Sequence, residues 1–236
     1  MASGTGVMSI PHEGIVALLP MRHHSVRVPG KNLRKLGGVP LYHYIVRSLL
    51  ACPSVSKIVI DTDSPAIRED VQSVFPHITV LSRPEYLRGD EVPVTEVLFY
   101  DVSQVPANYY LQTHSTNPFL SSATIERALT SWVSERHIYD SLFGVTRVQA
   151  RLWDGTARPL NHNPWLLLRT QELPPVYIEN SALYIFPAEL GRSSHRRIGD
   201  RPKLFEVDPL EAIDIDNERD FSFAEALVQS RRVLGP

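Results

Sequence analysis

GIVALLPMRHHSVRVPGKN, residues 14–32, is the stretch on which the fold turns. Its first seven residues form an apolar run closed by proline, the pattern of a short strand buried on both faces. The rest is a loop that carries Arg22, Arg27 and Lys31 and no carboxylate. Open α/β sheets bind ligands beyond the carboxyl ends of their strands, so a strand that gives way to a cationic loop marks a place to look.

Outward from that stretch the same alternation repeats. PLYHYIVRSLLAC (40–52) sets Leu41, Tyr44, Ile45 and Leu49 at helical spacing, with Pro40 suited to the first turn. KIVID (57–61) reads as a second buried strand, and SPAIREDVQSVF (64–75) as a helix with Ser64 as cap and Pro65 at its first position. ITVLS (78–82), NYYLQ (108–112) and SLFGVTRV (141–148) read as further strands. VPVTEVLFYDVSQ (92–104) and residues 121–134 read as helices, the second with Ile125, Ala128, Leu129, Trp132 and Val133 on one stripe. Regular strand–helix alternation predicts a doubly wound, mostly parallel α/β sheet. Residues 149–182 break the pattern with Trp153, Asn161, Asn163 and Trp165 and are expected to leave the sheet as a lid or an oligomerisation arm. ALYIF (182–186), KLFEV (203–207) and AIDID (212–216) are predicted strands, followed by a helix near 217–230. The expected organisation is a flexible segment over residues 1–13 and one domain over 14–236.

Composition narrows the function. The 236 residues are 43% hydrophobic and 21% charged, the mixture of a globular protein with a sizeable core. A net charge of -2 argues against nucleic acid as a partner. No apolar run nears the roughly 18 residues of a membrane helix. The start lacks a basic segment followed by an apolar one, so no signal peptide is expected. One cysteine, Cys52, excludes an internal disulfide framework and a multi-cysteine zinc site, and a cytoplasmic location is expected. The phosphate-loop and nucleophile-elbow motifs are absent, and GTGVMS near the start fails the dinucleotide fingerprint. His23 and His24 are adjacent in a loop and read as exposed residues before metal ligands.

Charge is segregated. Residues 14–60 hold seven Lys and Arg side chains and no carboxylate, a local charge of +7. Residues 206–225 hold eight carboxylates and Arg219, a local charge of -7. Solvated faces would explain both clusters; so would one pole for phosphate and one for a metal cation. Within the first, Arg22, Ser25, Arg27 and Lys31 surround Pro29-Gly30, a turn that can bring backbone N–H groups close to an anion. A transferring triphosphate needs such cations in place before reaction. Within the second, Asp214 and Asp216 would share a face if their segment is a strand, and two such carboxylates suit Mg²⁺. Asp216 could instead cap the last helix. Asp61-Thr62-Asp63 ends the second strand, where turn and cap duty outweighs metal binding.

PMRHHSVRVPGKN (20–32) resembles the opening signature of the sugar-acid cytidylyltransferases, the enzymes that make CMP-sialic acid and CMP-Kdo. GGVPLYHYIVRSLL (37–50), SRPEYLRGDEVP (82–93), QTHSTNPFL (112–120), RTQELPPVYIENSALYIF (169–186) and IDIDNERDFSFAEAL (213–227) extend the resemblance over most of the chain. The resemblance implies a Rossmann-like fold, a homodimer with an exchanged arm, CTP as substrate and Mg²⁺ or Mn²⁺ as cofactor. It implies that Arg22, Lys31, Asp214 and Asp216 carry catalysis, the two aspartates as metal ligands. It further implies that Ser25, Arg27, Asn32, Ser82 and Arg83 lie near the nucleotide, and that Gln112, Asn180 and Tyr184 contact the sugar, with Arg169 reaching a neighbouring subunit. The Arg22-x-x-Ser25-x-Arg27-x-Pro29-Gly30-Lys31 spacing looks like the Kdo branch. Lys31-Asn32, Gln112, Asn180 with Tyr184 and the aspartate pair look like the sialate branch, which is the reading preferred. The chain departs from that branch at His23, His24 and His114 to Phe119. The expected reaction is transfer of CMP from CTP to the anomeric hydroxyl of a sialic-acid-like 2-keto-3-deoxy sugar acid; the alternatives are a CMP-Kdo-type synthetase and a non-catalytic relative that binds nucleotide or nucleotide sugar.

Overall fold

β1 (Ile15–Met21) is the central strand, and six of its seven residues are buried. Its side chains alternate between two cores, as a strand covered on both faces requires. Ile15, Ala17 and Leu19 pack with Ile45, Leu49, Ile125, Leu129 and Trp132. Val16 and Leu18 pack with Leu98, Val102, Tyr110 and Phe186. In this computed structural model the described residues are 14–230, so the expected flexible segment over 1–13 lies outside them.

In chain order β1 is followed by a short hairpin, β2 (Lys35–Leu36) and β3 (Val39–Pro40), then α1 (Leu41–Leu50), β4 (Val55–Thr62) and α2 (Pro65–Val74). β5 (Thr79–Ser82), α3 (Val94–Gln104), β6 (Tyr109–Thr113), α4 (Ser122–Glu135) and β7 (Ser141–Val148) complete the expected alternation. β8 (Val176–Pro187), α5 (Ala188–Ser194), β9 (Pro202–Glu206) and α6 (Glu218–Gln229) close the chain. Helix starts follow local chemistry: Ser64 accepts from the Ile67 amide ahead of Pro65, and Ser121 accepts from Thr124. The sheet runs β5-β4-β1-β6-β8-β7-β9. β1 is parallel to β4 and β6, β4 to β5, and β7 to β9, while β8 lies antiparallel to both neighbours. The fold is therefore Rossmann-like and mostly parallel, with one reversed strand in its second half. No described helix is long and apolar enough to cross a membrane.

Two expectations need correction. Residues 212–216 do not form a strand; Ala212 ends a turn and the 213–216 segment is irregular. The backbone link from it to the loop after β6 is the Ile215 amide donating to Thr116 O at 2.9 Å, and side chains take its carbonyls instead. The irregular excursion ends at residue 175, because β8 already runs from Val176. A bulge near Asn180 interrupts the period of two and hides that start. A step of two residues in β7, from Phe143 to Val145, spans a step of five in β8, from Tyr184 to Glu179.

A third core serves the site. Val28 from the loop after β1 is buried with Leu36, Leu41, Ile215, Phe221 and Ala224. Those apolar contacts carry the cationic loop to the acidic segment near the other end of the chain.

Candidate active site

The loop after β1 is shaped by one residue of unusual backbone. Gly30 has φ +64°, and no atom lies within 4 Å of where a Cβ would stand, so conformation and not crowding selects glycine. Its carbonyl accepts from the Leu33 and Arg34 amides at 3.0 Å each, and Lys31 N donates to Val28 O at 3.1 Å. Buried Val28 pins one side of this turn, and Lys31 is projected from the other. Lys31 Nζ donates to Ile215 O at 2.7 Å and stands 3.9 Å from Asp216 Oδ1, with its side chain 12% exposed. Burial lowers the Lys31 pKa, while Asp216 and Asp214 oppose that shift and support its charge. Arg27 Nη2 donates to Asp216 Oδ1 at 2.8 Å. Asn32 donates to Arg22 O at 3.2 Å and accepts from Ser115 Oγ at 2.6 Å. Arg22 pairs with Asp90 at 2.7 Å on open surface, a contact of little energy that a ligand can displace.

The acidic segment is arranged for something other than capping. Asn217 caps α6, accepting from the Arg219 and Asp220 amides at 2.9 and 3.2 Å. Asp220 returns the bond, accepting from Asn217 N and Asp216 N at 2.9 Å each. The Asp216 carboxylate is thereby released from the capping role considered for it. Asp214 is half-buried and its Oδ1, which is buried, has no partner among the described residues. Burial raises the Asp214 pKa, and neighbouring Asp216 adds to the rise. A carboxylate with an orphaned oxygen beside a second carboxylate is a fitting donor set for a hard divalent cation, whose other ligands would come from phosphate and water. No cluster of three or more acidic, histidine or cysteine ligands occurs among the described residues.

These groups face one crevice of about 530 Å³. Arg22, Ser25, Arg27, Lys31, Asn32, Arg83, Asp214 and Asp216 all line it. Ser82 does not; it is an exposed strand end, one residue before the lining Arg83. Arg83 Nε donates to Asp61 Oδ1 at 2.5 Å deep in the fold, and Arg88 holds the Arg83 carbonyl with bonds of 3.0 and 2.9 Å. One Asp61 oxygen is taken by this ion pair, which gives the residue a structural role in holding Arg83. Asp101 lies beside it, fully buried, and burial together with the Asp61 charge holds its carboxyl well above the usual range.

The expected sugar residues are placed less uniformly. Gln112 and Tyr184 are fully buried behind the crevice. The Asn180 amide donates to Thr146 Oγ1 at 3.1 Å and accepts from Ala182 N at 3.2 Å, holding the β8 bulge and not lining the crevice. That bulge puts the next residue, Ser181, in the crevice wall with φ +57°, a strained position for a non-glycine residue. Arg169 is outside the crevice, paired with Glu172 on the exposed arm. His114, Ser115 and Thr116, together with Asp90 and Ser181, are lining residues that the sequence reading did not select. QTHSTNPFL held the signal for the first three, since it follows directly on a strand end. Asp90 and Ser181 lie within SRPEYLRGDEVP and RTQELPPVYIENSALYIF, two stretches that carry the resemblance without singling out either residue.

The family model described as cytidylyltransferase matches residues 16–235. N-acylneuraminate cytidylyltransferase A of Danio rerio is 24% identical over 221 residues, covering 91% of this chain and 50% of the relative. A 3-deoxy-manno-octulosonate cytidylyltransferase of Acaryochloris marina is 28% identical over 113 residues, covering 48% of this chain and 44% of the relative. The alignments thus take in about half the length of each of these relatives. Among solved structures, CMP:2-keto-3-deoxy-manno-octonic acid synthetase complexed with CTP has a TM-score of 0.69 at 16% identity, covering 92% of this chain and 99% of that one.

Proposed function

The chain belongs to the cytidylyltransferase family, and from that premise we propose that it transfers CMP from CTP to the anomeric hydroxyl of a sialic-acid-like 2-keto-3-deoxy sugar acid, releasing pyrophosphate. The observation that carries the proposal is the meeting of Lys31 with Ile215 O and Asp216 in one crevice. Oppositely charged groups from distant parts of the chain thereby face a single ligand.

Arg22, Arg27 and Lys31 bind the triphosphate; Lys31, held to Ile215 O, is in place before it arrives, and Arg22 and Arg27 turn to it from their exposed ion pairs with Asp90 and Asp216. Ser25 and Asn32 line the same region, and Arg83 presents a guanidinium oriented by Asp61 toward the nucleoside. The anomeric hydroxyl loses its proton to solvent and its oxygen bonds to the α-phosphorus as the bond from that phosphorus to the bridging oxygen breaks, the electron pair leaving with pyrophosphate. Asp214 and Asp216 would hold Mg²⁺ or Mn²⁺, which when bound neutralises phosphate charge and makes the attacking hydroxyl more acidic. The sugar acid occupies the His114 and Ser181 end of the crevice, with Gln112 and Tyr184 supporting it from behind. We further propose a cytoplasmic homodimer in which the arm brings Arg169 to the neighbouring site. Eight large apolar residues exposed between Trp153 and Ile178 support that arrangement, Trp165 being 93% exposed.

The test is pyrophosphate release from CTP with Mg²⁺ and a panel of eight- and nine-carbon keto acids. Release is expected with at least one acid and is lost on chelation of the metal. Asp216→Asn should reduce turnover about 100-fold or more while the melting temperature stays within a few degrees. Full turnover in that variant would remove the aspartate pair from the mechanism. A preferred eight-carbon acid would favour the Kdo-type alternative, and CTP binding without pyrophosphate release would favour the non-catalytic one.

A further inference from the structure

His114 stands just beyond β6 and lines the crevice, yet the phosphate machinery does not use it. Its Nε2 lies 2.6 Å from Gln112 Nε2. Which of the two carries the shared proton is decided one residue further back. Arg197 Nη1 donates to Gln112 Oε1 at 2.7 Å. A guanidinium only donates, so that amide atom is the accepting oxygen and its partner is the NH₂ group. His114 Nε2 therefore accepts, and the ring proton resides on Nδ1.

Arg197 is itself held in place. Its guanidinium lies 3.6 Å above the Tyr184 ring, and its Nη2 is 3.7 Å from Glu179 Oε1. The side chain is 17% exposed, and the Tyr184 hydroxyl donates to the same Glu179 carboxylate. Burial, reinforced by the Arg197 and Lys31 cations, pushes the His114 pKa down to about 3. The imidazole is thus neutral near pH 7. Its Nδ1 has no partner among the described residues, and the two cations make this corner of the crevice attractive to an anion.

We propose that Glu179, Arg197 and Gln112 lock His114 as a neutral Nδ1–H donor, and that this N–H binds the carboxylate of the acceptor sugar acid. His114 then reads the acceptor and is not the base that deprotonates it; Arg197 and Gln112 are positioning residues. The assignment rests on the proposed transfer reaction for the identity of the ligand, and on the hydrogen-bond pattern alone for the position of the proton.

The experiment is nuclear magnetic resonance on the full chain labelled with ¹⁵N-histidine, with His114→Ala to assign the signals. The expected spectrum shows the Nδ1–H tautomer at His114 throughout about pH 5 to 8. An Nε2–H tautomer, or titration inside that window, overturns the proposal. Arg197→Met should release Gln112 and let the second tautomer appear; an unchanged spectrum overturns the relay. Eight- and nine-carbon 2-keto-3-deoxy acids, added with CTP, should shift the Nδ1–H resonance, and its indifference to all of them overturns the contact. If acids shift it and no pyrophosphate forms, the transfer reaction fails while this contact stands. With an acid that does turn over, His114→Ala should lower kcat/KM for the acid about 10- to 100-fold and leave KM for CTP unchanged. His114→Asn, whose amide nitrogen falls near the Nδ1 position, should recover most of that loss. Equal kinetics for His114→Ala and the parent would overturn the reading.

Discussion

Asp101 on α3 has no exposed surface to speak of, and its carboxyl meets that of Asp61, with no cation or neutral donor on either of its oxygens or on Asp61 Oδ2 among the described residues. One arginine, Arg83, cannot neutralise two buried carboxylates, so a proton held by Asp101 is the consistent solution. The folded protein then binds a proton that the unfolded chain releases above about pH 4. Stability contributed by this group is present below that pH and is lost as pH rises through the raised folded-state pKa. Asp101→Asn keeps a donor toward Asp61 and removes the penalty. It should stabilise the protein at pH 8 by about 1–3 kcal/mol, with the gain shrinking at pH 5. Melting curves at the two pH values decide this, and an equal gain at both would contradict it. Asp214 poses the related problem of an orphaned oxygen in a crevice. Adding Mg²⁺ and CTP should raise the melting temperature of the parent, by a few degrees at saturating concentration, and leave Asp214→Asn nearly unmoved. At this scale the sequence was informative where a residue's neighbours are close along the chain. Arg27 and Lys31 stand out in a stretch without acids, and Asp214 and Asp216 in an acidic one. His114 stands out only as a departure from the sialate branch and Arg197 not at all, because their meaning comes from a contact through Gln112 between residues more than eighty positions apart.

Elements were legible to the extent that one period ran through them. β1 and α4 have unbroken patterns and were located from them. β8 was half hidden, because the bulge at Asn180 shifts its faces midway and its first residues point apolar groups outward. The segment around Asp214 reads as a strand because its residues alternate apolar and acidic, although it belongs to no sheet. β7 and β8 meet at the bulge with little tolerance. A Cβ on Gly144 would lie 2.7 Å from Asn180 Oδ1, the oxygen that also accepts from Ala182 N. Gly144→Ala should therefore cost about 1–3 kcal/mol and disturb Ser181 in the crevice wall. Urea unfolding would measure the first effect, and a loss below about 0.5 kcal/mol would mean that the bulge yields without strain.

For the molecule as a whole, strand–helix alternation was enough to foresee the parallel half of the sheet, and not the reversed strand that separates β6 from β7. The arm's purpose is foreseeable only in outline, since most of its Trp and Leu side chains lie exposed on the surface, where packing gives them no pattern. Trp165 and Leu167, 93% and 85% exposed, are a poor surface for an isolated chain of 26.6 kDa. Sedimentation should find the parent at twice that mass. Trp165→Glu should shift it toward the mass of one chain, with pyrophosphate release falling alongside if Arg169 works across the interface. A parent that sediments as a single chain at micromolar concentration would rule out the dimer.

The bond between Arg27 and Asp216 joins positions 189 residues apart, and that between Lys31 and Ile215 joins positions 184 apart. During synthesis, then, the cationic turn emerges from the ribosome long before its acidic counterpart exists. Most of the sheet precedes that segment along the chain, so the crevice is among the last parts of the fold to be completed. The 214–216 segment closes it late, so a chain that stopped short of that segment would lack one wall of the crevice.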